Sequence, residues 1–168
     1  NGPMCSGKTL VADLFLKNKP NCFRVSVDKI KWLISDYSLE KYGQTGVTHR
    51  ITFKLATAAA AEGLSLVIES NPRLMVSWRP QYTALAKKYQ LNFFEVNLEA
   101  PHEVLKQRFV ERVARAERER GHISIKDEAG MEARYDAYIS LRNPNVPTFD
   151  SSLMSTEEIV SKLDSLID

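Results

Sequence analysis

Gly2-Pro3-Met4-Cys5-Ser6-Gly7-Lys8-Thr9 is the stretch that decides the fold. It matches G-x-x-x-x-G-K-[ST] at every fixed position. The glycines let the backbone turn so that successive N–H groups converge on phosphate oxygens. A helix starting near Gly7 adds the positive end of its dipole. Lys8 can bridge the β- and γ-phosphates, and the Thr9 hydroxyl can ligate Mg²⁺. Gly2 to Thr9 is therefore read as the nucleotide-binding loop, with ATP and Mg²⁺ as the expected cofactors.

Outward from this loop the chain alternates. Leu10, Val11, Leu14 and Phe15 predict a helix over 7–17, broken at 18–21. Phe23, Val25 and Val27 predict a strand, and Ile30, Leu33, Ile34 and Tyr37 a helix over 29–41. An Ala-rich helix over 48–62 closes at Gly63, and 64–68 is a strand of the buried type. A helix over 75–90, a strand over 92–98 and a charged helix over 102–120 follow. The chain continues with a helix over 128–142, a short strand over 148–150 and a last helix opened by the Ser155/Glu158 capping box. Strands alternating with helices imply an α/β fold, a parallel sheet covered on both faces. Neither a repeat nor a linker divides the 168 residues, so 1–168 is read as one domain.

Composition narrows the partners. Hydrophobic residues make up 43% and charged residues 26%, with a net charge of +2. That balance suits a globular protein and disfavours nucleic acid as a partner, except through a local patch. No apolar run is long enough for a membrane span. Cys5 and Cys22 form neither a disulfide framework nor a metal pattern, which fits a reducing cytoplasm. Oligomeric state is not legible.

Three further signals carry chemistry. Leu66-Val67-Ile68-Glu69 is an apolar run ending in a carboxylate, which can hold Mg²⁺ or its water. Asp28 follows the first strand, where parallel sheets bind ligands; it can accept a hydroxyl proton, cap the next helix, or do both. Arg108, Arg112 and Arg115 recur on one helical face. They form either a lid that lowers cations onto the transferring phosphate or a solvated face paired with Glu111, Glu117 and Glu119. Acceptor-binding candidates are Lys31, His49, Arg50, Asn71, Arg73 and Arg79, with Trp32, Tyr37 and Trp78 as aromatic candidates.

These segments together resemble the small P-loop kinases, the group of zeta toxins, polynucleotide kinases, chloramphenicol phosphotransferase, and gluconate and shikimate kinases. The matching pieces are 2–9, 25–31, 66–71, 104–121 and 148–163. The resemblance implies a three-layer P-loop NTPase fold with sheet order 2-3-1-4-5, counting as 1 a strand ahead of Gly2. It implies that Asp28 is the general base or a ligand of the acceptor hydroxyl. It also implies that Arg108, Arg112 or Arg115 is the lid arginine, within a lid of about 106–130. The expected function is transfer of the γ-phosphate of ATP to a hydroxyl acceptor. Other readings are a regulatory ATPase without an acceptor, or a kinase acting on a macromolecule such as an RNA 5′-hydroxyl. Three departures stand out: no strand precedes Gly2, Lys31 stands where some members carry Arg, and Cys5 lies inside the loop. The first predicts that this chain is a piece lacking its central strand. The third predicts block of activity by thiol alkylation, with protection by ATP.

Overall fold

Gly7 adopts φ 87°, outside the range easily open to other residues, and turns the chain into helix α1 (Lys8–Asn18). A computed structural model describes residues 1–42, 46–70, 72–118 and 125–167. After α1 come strand β1 (Cys22–Ser26), helices α2 (Val27–Leu33), α3 (Leu39–Tyr42) and α4 (Val47–Ala61), and strand β2 (Ser65–Glu69). Then follow α5 (Pro72–Lys88), β3 (Asn97–Glu99), α6 (His102–Arg118), α7 (Glu128–Leu141), β4 (Thr148–Asp150) and α8 (Thr156–Ile167). The α/β alternation expected from the sequence is present.

Two expected elements came out differently. Val27 starts α2 rather than ending β1, and Ile34 is already extended, so the helix expected over 29–41 is two short pieces. Leu33, left at the end of the first piece, is 80% exposed. Ser26 is the N-cap of α2 and Asp28 lies within its first turn, so Asp28 does not cap. There it faces the positive end of the helix dipole instead. The strand expected over 92–98 is regular only at Asn97–Glu99. Residues 92–96 line a cavity and have no strand beside them on that side among the described residues. Leu10 is 64% exposed and stands off the buried stripe of α1.

Among the described residues the strands form two parallel pairs. β1 runs beside β2 with Cys22 opposite Ser65 and Ser26 opposite Glu69. β3 runs beside β4 with Asn97 opposite Thr148. Between β2 and the 91–98 segment lies a cavity of about 500 Å³, bordered by α1, α5 and α8. Asn1 spans its edge: its N donates to the Val96 carbonyl (2.9 Å), and Leu98 N donates to the Asn1 carbonyl (2.8 Å). That is the hydrogen-bond pattern of a parallel bridge centred on Asn97.

Among the described residues burial is distributed over three clusters. Val25, Ala56, Ala60, Tyr82 and Leu85 pack β1 against α4 and α5. Leu98, Phe149 and Ile159 join β3, β4 and α8. Ala100, Leu105, Phe109 and Met131 join α6 to α7, and Met4 and Cys5 rest against them. This third cluster therefore supports the glycine-rich loop from below. The Ser155/Glu158 capping box at α8 forms as expected, with Ser155 N donating to Glu158 (2.7 Å) and Glu158 N to Ser155 Oγ (3.2 Å). Among the described residues no helix is long and apolar enough to cross a membrane.

Candidate phosphate-binding and acceptor site

The loop at 2–9 is held tightly. A Cβ on Gly2 would stand 2.2 Å from the Leu98 carbonyl oxygen, so only glycine lets the loop approach β3 this closely. Cys5 is at φ 65° and Gly7 at φ 87°, so the backbone between them curls into a concave nest of the kind that binds anions. Two side chains close the nest from within. The buried Ser6 Oγ donates to the Pro3 carbonyl (3.0 Å), and Lys8 Nζ donates to the same oxygen (2.5 Å). Burial lowers the Lys8 pKa to about 8, although Glu69, Asp28 and Cys5 favour its charge.

Thr9 and Glu69, both candidate Mg²⁺ ligands, are in direct contact. Thr9 Oγ1 donates to Glu69 Oε1 at 2.5 Å, joining the first turn of α1 to the end of β2. A hydroxyl and a carboxylate on one point are hard oxygen donors, the set that suits Mg²⁺. Together with the anion-binding nest and Lys8, they fit an Mg²⁺–nucleotide.

Glu69 has a further partner that the sequence reading missed. Arg24 Nε and Nη2 both donate to Glu69 Oε2, at 3.0 and 2.5 Å. Its Nη1 donates to Asp13 on α1. The Arg24 side chain is only 9% exposed. The available signal was a cation inside a strand whose alternate residues, Phe23 and Val25, face the core.

Asp28 is exposed, lies near enough to Lys8 for their charges to act on each other, and accepts from Lys31 Nζ at 2.5 Å. Packing around it works to raise the Asp28 pKa. The Lys31 ion pair and hydrogen bond, with Lys8 and Arg112 beyond, outweigh it and hold the carboxyl below the usual aspartate range. His49 faces this pair from α4. Burial, reinforced by Lys31, lowers its pKa to about 4 and keeps it neutral at physiological pH. His49, Thr52, Ser70 and Trp78 line a small recess beside Glu69.

The three candidate arginines of α6, Arg108, Arg112 and Arg115, diverge. Arg108 Nη1 donates to Ser151 Oγ (2.9 Å), and its Nη2 donates to the Ser151 carbonyl (2.9 Å). Nη1 also reaches the Cys5 carbonyl at 3.4 Å. Arg108 thus ties the loop after β4 to the glycine-rich loop. Arg112 is exposed one turn on, and its charge is felt by both Lys8 and Asp28. Arg115 is exposed. Of the acceptor candidates, Arg79 is paired with Glu95 by two 2.8 Å hydrogen bonds. Arg50 is exposed on α4, its guanidinium near Gly46. Asn71, the Arg73 side chain and part of the expected 106–130 lid (residues 119–124) lie outside the described residues.

Comparisons with known proteins agree with this architecture. A family model described as an AAA domain matches residues 1–136. A candidate kinase from Chloroflexus aurantiacus shares the fold with a TM-score of 0.73 and 19% identity, over 99% of this chain and 97% of that one. The tunicamycin resistance protein of Deinococcus radiodurans does so with a TM-score of 0.61 and 17% identity, over 99% and 92%. No curated protein sequence matches.

Proposed function

The chain belongs to the AAA domain family, and from that premise we propose that it is an ATP-dependent kinase acting on a hydroxyl-bearing acceptor. The observation that carries the reading is the hydrogen bond between Thr9 and Glu69 beside Lys8, whose ammonium also feels the charge of Asp28. The kinase description of the Chloroflexus aurantiacus neighbour is consistent with it.

Phosphoryl transfer asks the protein for position and charge rather than covalent chemistry. The nest between Cys5 and Gly7 offers its N–H groups to the phosphates. Lys8 leaves the Pro3 carbonyl and turns its ammonium onto them. Thr9 and Glu69 would hold Mg²⁺, which would supply charge neutralisation of the phosphates. Asp28, ionised and oriented by Lys31, receives the acceptor hydroxyl and takes its proton. Arg112 is the α6 arginine whose charge already acts on both Lys8 and Asp28, so it is assigned to the transferring phosphate. Arg108 positions the loops instead, and Arg115 stays as the alternative lid cation.

The cavity supports the finer fold reading as well. A strand ahead of Gly2, running on from the Asn1–Asn97 bridge, would lie between β2 and β3 and join the pairs into one sheet of order 2-3-1-4-5. Residues 1–168 then fall within one kinase domain. ATP dependence and the free thiols Cys5 and Cys22 fit the cytoplasm.

The test is ATP turnover with Mg²⁺ against nucleosides, 5′-hydroxyl oligonucleotides, sugar acids, aminosugar nucleotides and hydroxyl-bearing antibiotics. An acceptor that accelerates ADP release and gains phosphate is the expected result. Slow hydrolysis indifferent to every acceptor would favour a regulatory ATPase, and phosphate gained only by the oligonucleotide would favour an RNA-type kinase.

A further inference from the structure

Arg24 lies outside the phosphate nest, yet it determines what Glu69 can offer. Both of its contacts to Glu69 fall on one oxygen, Oε2 (3.0 and 2.5 Å). The other oxygen, Oε1, is left with Thr9 Oγ1. The pair is well shielded, with side chains 9% and 12% exposed, so water competes weakly for either group. The third guanidinium nitrogen holds Asp13, one helical turn beyond Thr9 on α1. Arg24 thus fastens β2 to the same helix that presents the Thr9 hydroxyl, and fixes the carboxylate in one orientation.

We infer that Arg24 is a positioning residue that restricts Glu69 to a single available oxygen and so sets the divalent-cation preference of the site. The inference rests on the kinase reading, in which Thr9 and Glu69 hold the cation. Mg²⁺ demands near-octahedral geometry, keeps several waters and takes carboxylates through single oxygens; Ca²⁺ accepts bidentate carboxylates and variable coordination. A Glu69 with one oxygen tied to a guanidinium cannot chelate through both. Removing the guanidinium frees Oε2, adds net negative charge beside the cation, and should admit Ca²⁺. Partners that orient metal ligands in this way alter metal affinity by roughly 10–100-fold when lost.

The experiment measures affinity for a fluorescent ATP analogue while Mg²⁺ or Ca²⁺ is titrated, in wild type, R24Q, R24K and D13N. Thermal unfolding with each cation is the second readout. Wild type is expected to couple nucleotide binding to Mg²⁺ far better than to Ca²⁺. R24Q should narrow that ratio by about tenfold or more. R24K, which keeps the charge but loses the fork, should fall between the two. D13N leaves both Arg24–Glu69 contacts in place and should keep the wild-type ratio, which separates positioning of Glu69 from general loss of an ion pair. A folded R24Q with an unchanged ratio overturns the inference. Should R24Q not fold, an unchanged ratio in R24K does the same. Nucleotide binding by wild type that ignores both cations overturns the kinase reading and this inference with it.

Discussion

The two walls of the candidate site are built on different principles. On the phosphate side the glycine-rich loop and Glu69 are tied down. Gly2 touches β3, Ser6 and Lys8 close on Pro3, Thr9 meets Glu69, and Arg24 fixes Glu69. On the acceptor side the chain breaks into short helices, α2 and α3, and Asp28 is exposed with Lys31 as its partner. On the proposed kinase reading, the difference follows from what each wall would recognise. A triphosphate is always the same anion, so backbone amides and buried charges can be fixed in advance. An acceptor differs between enzymes that share the chemistry, and its recognition falls to exposed side chains that can change without disturbing the core.

Breaking the phosphate wall should have the largest effect. Lys8→Ala removes the ammonium from a buried position in the nest. Phosphoryl transfer should fall by about 10⁴-fold, in line with other cations that stabilise this transition state. Single-turnover transfer of labelled phosphate measures it, and a loss under tenfold would separate Lys8 from the chemistry. On the acceptor wall, Asp28→Asn keeps the shape but loses the charge that Lys31 orients. Transfer should drop by about 10³-fold, while affinity for the ATP analogue stays within about twofold. Equal losses in binding and transfer would place Asp28 on the nucleotide rather than on the acceptor.

Acidity distinguishes the walls next. Lys8 in the free protein titrates at about 8, well below its ordinary 10.5. Phosphates favour its charged form, so nucleotide binding near pH 8–9 should take up a proton, up to about one per site. Affinity should fall by up to about tenfold per pH unit above pH 8. The Lys8 contribution to stability has the opposite sign: between pH 8 and 10.5 the unfolded chain holds the extra proton, so stability rises with pH across that window. Calorimetry in buffers of different ionisation enthalpy detects the uptake, and its absence would mean that Lys8 is already charged. His49, at about 4, stays neutral throughout and adds no step in this range.

The same contrast governs what was legible in the sequence. Residues 2–9 announce their structure because glycine, lysine and threonine at that spacing serve one geometry, and Glu69 is readable from its apolar strand. Arg24 was not, because its meaning depends on two residues, Asp13 and Glu69, that only the β1–β2 pairing and the α1 packing bring near it. Asp28 was placed correctly along the chain, but its role as a helix cap was not: Val27 is β-branched and reads as strand, yet it enters the helix and moves the cap to Ser26. The strand expected over 92–98 forms only from Asn97 onward, for another reason. Strand propensity becomes a ladder only where a neighbour offers hydrogen bonds, and 92–96 faces the cavity.

The smallest expected effect tests where the acceptor wall ends. Arg79 was a sequence candidate for acceptor binding, but its guanidinium makes a two-pronged pair with Glu95, which lines the central cavity and not the recess at His49. Glu95 is 7% exposed and Arg79 32%, so the pair is partly screened. Arg79→Gln should therefore cost about 1 kcal/mol of stability, discounted for that exposure, and change transfer by less than about twofold. Urea unfolding and steady-state transfer read the two effects separately. A large rise in acceptor KM with unchanged stability would extend the acceptor wall to α5, and would mean that Arg79 leaves Glu95 when the acceptor arrives.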